Sequence, residues 1–175
     1  MKNKFKIFVP VIIIVSLSLI GCVGNSTKTS HQKMENISQV KIDDLLRYKG
    51  SYVGNNSAVG NIIDRLPCNN YNEGFSLQTD KEPYGIIVNY KANQNLGTDD
   101  YNNFWSNKKP SEFLEKNAVV LLSLIQNADI IEFNVDNVGE NSYKYNRKEL
   151  EKKYGEDLKN LLKDKTSFES FLNNN

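Results

Sequence analysis

The sequence predicts an α+β fold: a single small domain in which an antiparallel sheet of about four strands packs against a central buried helix, with helical N- and C-terminal segments. Between residues 111 and 125, apolar side chains cover nearly the whole circumference of a helix, whereas a surface helix shows one apolar stripe. From residue 130 to 135 the apolar period changes to two, which is typical of a strand with one solvated face. Two alternating runs between residues 74 and 91, separated by a turn, predict a hairpin.

The N-terminus has the pattern of an export signal. Lysines at positions 2, 4 and 6 precede an uncharged apolar run from Ile7 to Ile20, which is shorter than the ~20 residues that a membrane span requires. The run ends in Leu19-Ile20-Gly21-Cys22, which resembles a bacterial lipobox. We therefore expect residues 1–21 to be a lipoprotein signal peptide, cleaved between Gly21 and Cys22. A diacylglyceryl group on the Cys22 sulfur would then anchor the chain to the membrane, since two acyl chains give stable anchoring.

The composition of residues 22–175, the chain expected after cleavage, indicates a tether, a domain and a small net charge. Residues 22–36 are short and polar without an apolar period, and predict a flexible tether from lipidated Cys22 to a domain at 37–175. The 22 basic residues include three in the signal, so 19 basic and 21 acidic residues would remain. A net charge of about −2 does not indicate nucleic-acid binding, which favours a strongly basic protein. The excess of Lys over Arg and the many Asn residues suggest a Gram-positive source.

The first elements of the domain follow from apolar spacing. Apolar residues between Ile37 and Leu46 indicate a modest helix, and a second helix capped by Asn56 continues until Pro67. Gly60 lies inside that second helix, where glycine costs about 1 kcal/mol against alanine. We therefore expect another element to pack closely against Gly60.

The connection from residue 92 to 110 is the most distinctive stretch, because a connection this long is uncommon in a compact domain unless it is functional or partly structured. Tyr101, Phe104 and Trp105 are spaced to share one side of a helical turn. Such rings suit a partner-binding or glycan-binding surface. The alternative is that they pack onto the sheet.

The C-terminal region adds one strand and a helical end. Tyr143 to Tyr145 predict a strand paired with 130–135, and residues 147–175 predict helix with Ser167 capping its last turn. The mixed Glu and Lys residues of this helix suit a solvated face supported by pairs four residues apart.

The predicted domain lacks the side chains that several kinds of catalytic and metal-binding site require. With Cys22 lipidated, Cys68 has no cysteine to pair with, and its expected role is a small buried hydrophobe beside Pro67. His31 is the only histidine and lies in the tether, so no Cys/His or Ser/His/Asp arrangement can form in the domain. We expect no metal and no cofactor.

Four stretches resemble a known family. They are YKGSYVGNNSAVGNII (48–63), FSLQTDKEPYGIIVNY (75–90), NAVVLLSLIQNADIIEF (117–133), and YKYNR with LEKKYGEDL (143–158). Together they are similar to the bacterial family known as domain of unknown function 4825, across roughly residues 43–172. The resemblance implies a domain found on exported lipoproteins and on the outer side of proteins like the M56 zinc-peptidase antirepressors of beta-lactam sensing. The chain has no HEXXH sequence, so no zinc or proteolysis carries over, and the family supplies no catalytic residues.

These observations favour a lipid-anchored extracytoplasmic binding or sensory module without catalytic activity, whose partner is an envelope protein or peptide. The candidate partner-binding residues are Tyr101, Phe104 and Trp105.

An envelope hydrolase or glycan-processing enzyme is the alternative, because paired carboxylates such as Asp99, Asp100 or Glu132 suffice for glycosidic chemistry. A transporter's solute-binding protein is disfavoured, since a two-lobed fold around a cleft needs a longer chain.

Overall fold

The computed structural model describes residues 33–174. The expected signal peptide, the Gly21-Cys22 cleavage and lipidation site, His31 and most of the tether lie outside the described residues. No helix within 33–174 combines the length and the apolarity that crossing a bilayer requires.

The chain forms the expected α+β arrangement. The helices are α1 (Ile42–Leu46), α2 (Asn56–Ile63), α3 (Gly97–Ser106), α4 (Pro110–Leu124), α5 (Arg147–Tyr154), α6 (Leu158–Leu161) and α7 (Lys165–Asn174). The strands are β1 (Asn72–Gln78), β2 (Gly85–Tyr90), β3 (Ile130–Val135) and β4 (Ser142–Asn146). Short 3₁₀ turns occupy Ile37–Gln39 and Asn69–Tyr71.

The four strands form one sheet in the order β1-β2-β3-β4. The two predicted hairpin pairs, β1 with β2 and β3 with β4, are antiparallel. The central pair differs from the predicted all-antiparallel sheet: β2 and β3 are parallel, with partners from Gly85 and Ile130 to Tyr90 and Val135. The connection between these strands contains α3 and α4, and a crossover of this length allows the chain to return in the same direction.

Helix α4 is the buried centre that its composition predicted. Its apolar residues from Leu114 to Leu124 have no exposed surface, and the helix contacts β3 and β4 as well as α2 and α6. Because other elements surround α4, apolar residues on one face only would leave polar side chains buried on the other faces.

Gly60 confirms the expectation of close packing. A Cβ atom at this position would lie 3.2 Å from Cε1 and 3.3 Å from Cζ of Phe75 on β1. The helix begins one residue earlier than predicted at its cap, because the side chain of Asn55, not Asn56, accepts the hydrogen bond from the Ala58 amide.

The terminal helices are more interrupted than the sequence predicted. Val40 has extended backbone angles, which separate the first 3₁₀ turn from α1. At the other end, Gly155 has φ +75°, a left-handed conformation that ends α5. Asp157 caps α6, and Asp164 rather than Ser167 accepts the capping bond before α7. Within the predicted helical stretch 147–175, the described residues 147–174 therefore form three helices.

Candidate functional site

A cleft of about 610 Å³, lined mostly by residues with polar side chains, lies where the parallel strands β2 and β3 end. Its walls are Lys91–Gln94 after β2, the first turns of α3, and Asp136 and Asn137 after β3. The carboxyl ends of neighbouring parallel strands meet at one edge of a sheet, and ligands of open α/β sheets bind outside that edge. We call this feature the strand-end cleft.

Backbone hydrogen bonds hold the two strand ends together. The Asp136 amide donates to the Tyr90 carbonyl at 3.0 Å, which joins the ends of β3 and β2. Asn93 shapes the turn before α3: its Oδ1 accepts from the Asn95 amide at 2.8 Å, and its Nδ2 donates to the Asn70 carbonyl at 2.9 Å. The cleft therefore has a fixed wall on the β2 side.

Tyr101 connects α3 to this edge. Its hydroxyl donates to the Asp136 carbonyl at 3.0 Å, and its ring is 2 % exposed. Burial raises the pKa of this phenol well above its ordinary value. Tyr101 therefore remains a neutral hydrogen-bond donor that positions α3 against the strand ends.

The three aromatic residues proposed from sequence as a partner surface lie in the core. Exposure is 2 % for Tyr101 and 5 % for both Phe104 and Trp105, and the Phe104 and Trp105 rings meet edge to face at 5.0 Å. Residues three and four apart share one helix face, and in α3 that face packs inward against Tyr71 and Phe113. This burial agrees with the packing alternative, and the rings themselves offer no platform to a partner.

The carboxylates named for the enzyme alternative do not converge on this cleft. Asp100 accepts hydrogen bonds from Lys33 Nζ at 2.7 Å and from the Tyr71 hydroxyl at 2.5 Å, and these two contacts lower its pKa. Glu132 lies on the outer face of β3, where it accepts from Ser142 at 3.2 Å. Neither these residues nor Asp99 line the strand-end cleft.

Cys68 has the structural role expected for it. Its side chain is 1 % exposed, and burial raises the pKa of the thiol well above its ordinary value, so the thiol stays protonated. Within residues 33–174, no three His, Cys, Asp or Glu side chains are grouped so that they could hold a metal ion.

Of the three residues predicted from the sequence, Tyr101 lines the strand-end cleft, and Phe104 and Trp105 do not. The other lining residues from 92–110 that have polar side chains are Asn93, Gln94, Thr98 and Asn102. The run of side-chain amides at residues 93–95 is the feature of the sequence that could have indicated this lining. Asp136 and Asn137 were not predictable, because they reach the cleft only through the parallel pairing of β3 with β2.

The fold and the cleft define the class of this molecule as a small α+β domain with a cleft at the end of a parallel strand pair. The family model described as Domain of unknown function (DUF4825) matches residues 45–146, and the chain belongs to this family. The matched region runs from within α1 to the end of β4, so it includes the whole sheet and the strand-end cleft. Comparison with curated proteins and with solved structures gives no significant match.

Proposed function

We propose that this protein is a lipid-anchored extracytoplasmic binding or sensory module without catalytic activity. The observation that carries the proposal is the strand-end cleft, a recess of about 610 Å³ lined mostly by residues with polar side chains. That volume is typical of ligand sites in proteins, which range from about 300 to 1,000 Å³. The lysine-rich start, the short apolar run and Cys22 support the anchor.

The cleft suits a segment of an envelope protein or peptide. Side-chain amides such as those of Gln94 and Asn102 offer both donors and acceptors, the two groups that a peptide backbone presents. A second recess of about 170 Å³ shares Lys91–Gln94 with the cleft. Segment 91–94 therefore lines two neighbouring recesses, which favours an extended ligand over a compact one.

The chemistry of the lining groups favours binding over turnover. A covalent mechanism needs a nucleophile beside a base that activates it. The hydroxyl of Tyr101 already donates to a backbone carbonyl, and burial opposes its ionisation. Lys91 lies 3.6 Å from the Glu73 carboxylate, with which it forms an ion pair.

Site-specific photocrosslinking in the native envelope tests the cleft. A photoreactive phenylalanine analogue replaces Asn102, which lines the cleft, or Asn103, an exposed neighbour on α3 that does not. We expect a discrete envelope adduct from position 102 and none from 103, with mass spectrometry identifying the captured segment. Equal labelling from both positions would remove the cleft as the binding site.

A blocking substitution provides the matched control. Thr98 and Asp99 are both exposed on the first turn of α3, and only Thr98 lines the cleft. In the crosslinking chain, Thr98→Trp should abolish the adduct by filling the recess, whereas Asp99→Trp should leave it. Survival of the adduct in Thr98→Trp would contradict the proposal.

The anchor has a separate test. Cys22→Ala removes the only sulfur that the lipobox pattern places at the cleavage point. We expect the wild-type chain to incorporate radiolabelled palmitate and to sediment with membranes, and the variant to incorporate none. Incorporation by the Cys22→Ala chain would show that the lipid is attached elsewhere.

A further inference from the structure

A larger recess, which we call the lysine groove, lies away from the strand-end cleft and shares no lining residue with it. Its volume is about 650 Å³. It is bounded by residues 36–38 where the described chain begins, by the α3–α4 connection and the first turns of α4, and by the ends of α5 and α7. The charged side chains along it are Lys108, Lys109, Glu112, Glu115, Lys116 and Lys153.

The carboxylates neutralise only part of this charge. Glu112 pairs with Lys109 at 2.9 Å, and Glu115 pairs with Lys153 at 2.6 Å while it also accepts from the Tyr154 hydroxyl. Lys108 and Lys116 have no carboxylate within ion-pair distance in residues 33–174. Four cations against two anions leave the lining with an excess of two positive charges.

Lys108 is held in a partly dehydrated position. Its Nζ donates to the Phe104 carbonyl at 2.8 Å and lies 3.9 Å from the centre of the Phe104 ring. Burial lowers the pKa of this amine. Glu35 raises that pKa and Lys33 lowers it, and these two residues form an ion pair with each other at 3.4 Å. An anion entering the groove would supply the missing counter-charge.

A buried hydrogen-bond acceptor, the side-chain oxygen of Asn117, belongs to a residue that lines the lysine groove. Asn117 lines the groove, is fully buried, and donates from Nδ2 to the Pro67 carbonyl at 3.0 Å. Its Oδ1 has no hydrogen-bond partner in the described part of the chain. Orphaned buried acceptors are uncommon, and a ligand hydroxyl would satisfy this one.

We propose that the lysine groove binds a phosphate ester of a polyol, with Lys108 and Lys116 facing the phosphate and Asn117 accepting from a hydroxyl. Lysine ammonium groups bind phosphate as point charges, whereas planar carboxylates are typically recognised by the arginine fork. No arginine lines the groove. The same chemistry occurs in soluble glycerol phosphate and in the headgroup of an anionic phospholipid; the lipid source rests on the proposed membrane anchor.

Amine footprinting on the full-length lipidated chain tests the proposal at the residues themselves. A water-soluble acetylating ester is applied without ligand, with glycerol 3-phosphate at millimolar concentration, or with glycerate, a carboxylate analogue. In parallel, the chain is reconstituted in vesicles of phosphatidylcholine alone or with phosphatidylglycerol added. Acetylation at Lys108, at Lys116 and at the exposed Lys148 on α5 is then quantified by mass spectrometry.

We expect glycerol 3-phosphate or phosphatidylglycerol to slow acetylation of Lys108 and Lys116, without an effect at Lys148. Protection by glycerol 3-phosphate identifies a soluble source, and protection only in phosphatidylglycerol vesicles identifies the headgroup. Protection by neither, or equal protection by glycerate, would overturn the proposal.

Substitutions separate binding from general charge. Loss of one charged hydrogen bond should weaken binding about tenfold. Lys116→Met should therefore raise the ligand concentration that half-protects Lys108 by that factor. Lys148→Met removes an equal charge outside the groove and should leave protection unchanged. An equal shift in both variants would mean that the effect is bulk electrostatics, which would refute a built site.

Discussion

Arg147 at the start of α5 provides the sharpest test of how the core is held together. Its side chain is 8 % exposed and lies at the C-terminal end of α4. Nη2 donates to the carbonyls of Leu122 at 2.6 Å and Ile125 at 2.9 Å, and Nε donates to that of Ala128 at 2.8 Å. These bonds satisfy carbonyls that a helix end leaves without partners, and they place a cation at the negative end of the helix dipole.

The size of the effect follows from these contacts. Arg147→Met keeps much of the side-chain volume but removes three charge-assisted bonds and leaves buried carbonyls unpaired. We expect the free energy of unfolding to fall by about 3 to 5 kcal/mol. Arg147→Lys keeps the cation but loses the planar fork, so about half of that loss should remain.

Urea unfolding followed by fluorescence measures these losses, because the single Trp105 is 5 % exposed and reports on the core. Glu151→Gln is the control: Glu151 lies 3.6 Å from Nη1 of Arg147, which makes no hydrogen bond in residues 33–174. The control should cost less than about 1 kcal/mol. If Arg147→Met cost no more than this control, the capping role assigned to the guanidinium would be wrong.

Two other variants test contacts outside this cap. Lys33 and Tyr71 lower the pKa of Asp100 in the folded chain. The Asp100 carboxylate therefore stabilises the folded state at pH values above its unfolded pKa of about 3.9. This contribution is lost as the pH falls through the pKa of Asp100 in the folded chain. In Asp100→Asn, the urea concentration at the midpoint of unfolding should therefore change less with pH below about 4 than in the wild-type chain. The same pH dependence in both chains would contradict this. Gly60→Ala should bring none of the roughly 1 kcal/mol that alanine gains inside a helix, because the new Cβ meets the Phe75 ring at 3.2 Å. In a Phe75→Leu background, the same change should become stabilising in thermal unfolding; a gain of equal size in both backgrounds would exclude the clash.

The elements that could be predicted from the sequence are those with strong local patterns. The all-round apolar segment of α4, the alternation in β1, β2 and β3, and the short β4 were each identified by their own residues, since periods of 3.6 and 2 correspond to different backbones. The family was identified separately, from the resemblance of four stretches of the sequence, and the match to the family model confirms it. The divided C-terminal helix was missed because Gly155 and Asp157 lie within a run whose Glu and Lys residues are strong helix formers.

The candidate sites were only partly predictable. Spacing places Tyr101, Phe104 and Trp105 on one face of a helix, but the same spacing describes an inward face and a partner-binding face. Packing against Tyr71 and Phe113 decided between them. Lys108 and Asn117 had no sequence signal, because a lysine and an asparagine near a helix are ordinary residues until their neighbours are known.

By itself, the sequence determined the buried helix α4 and the segments that form β1 to β4, and it contains the pattern around Cys22 on which the proposed export rests, since each depends on residues that are neighbours along the chain. Only the tertiary structure decided that β2 and β3 run in parallel and thereby bring segment 91–94 to Asp136, and that α4, α5 and the start of the described chain enclose the lysine groove. The physical reason is distance along the chain. Contacts between residues tens of positions apart depend on how the intervening helices pack, and no local period records that packing.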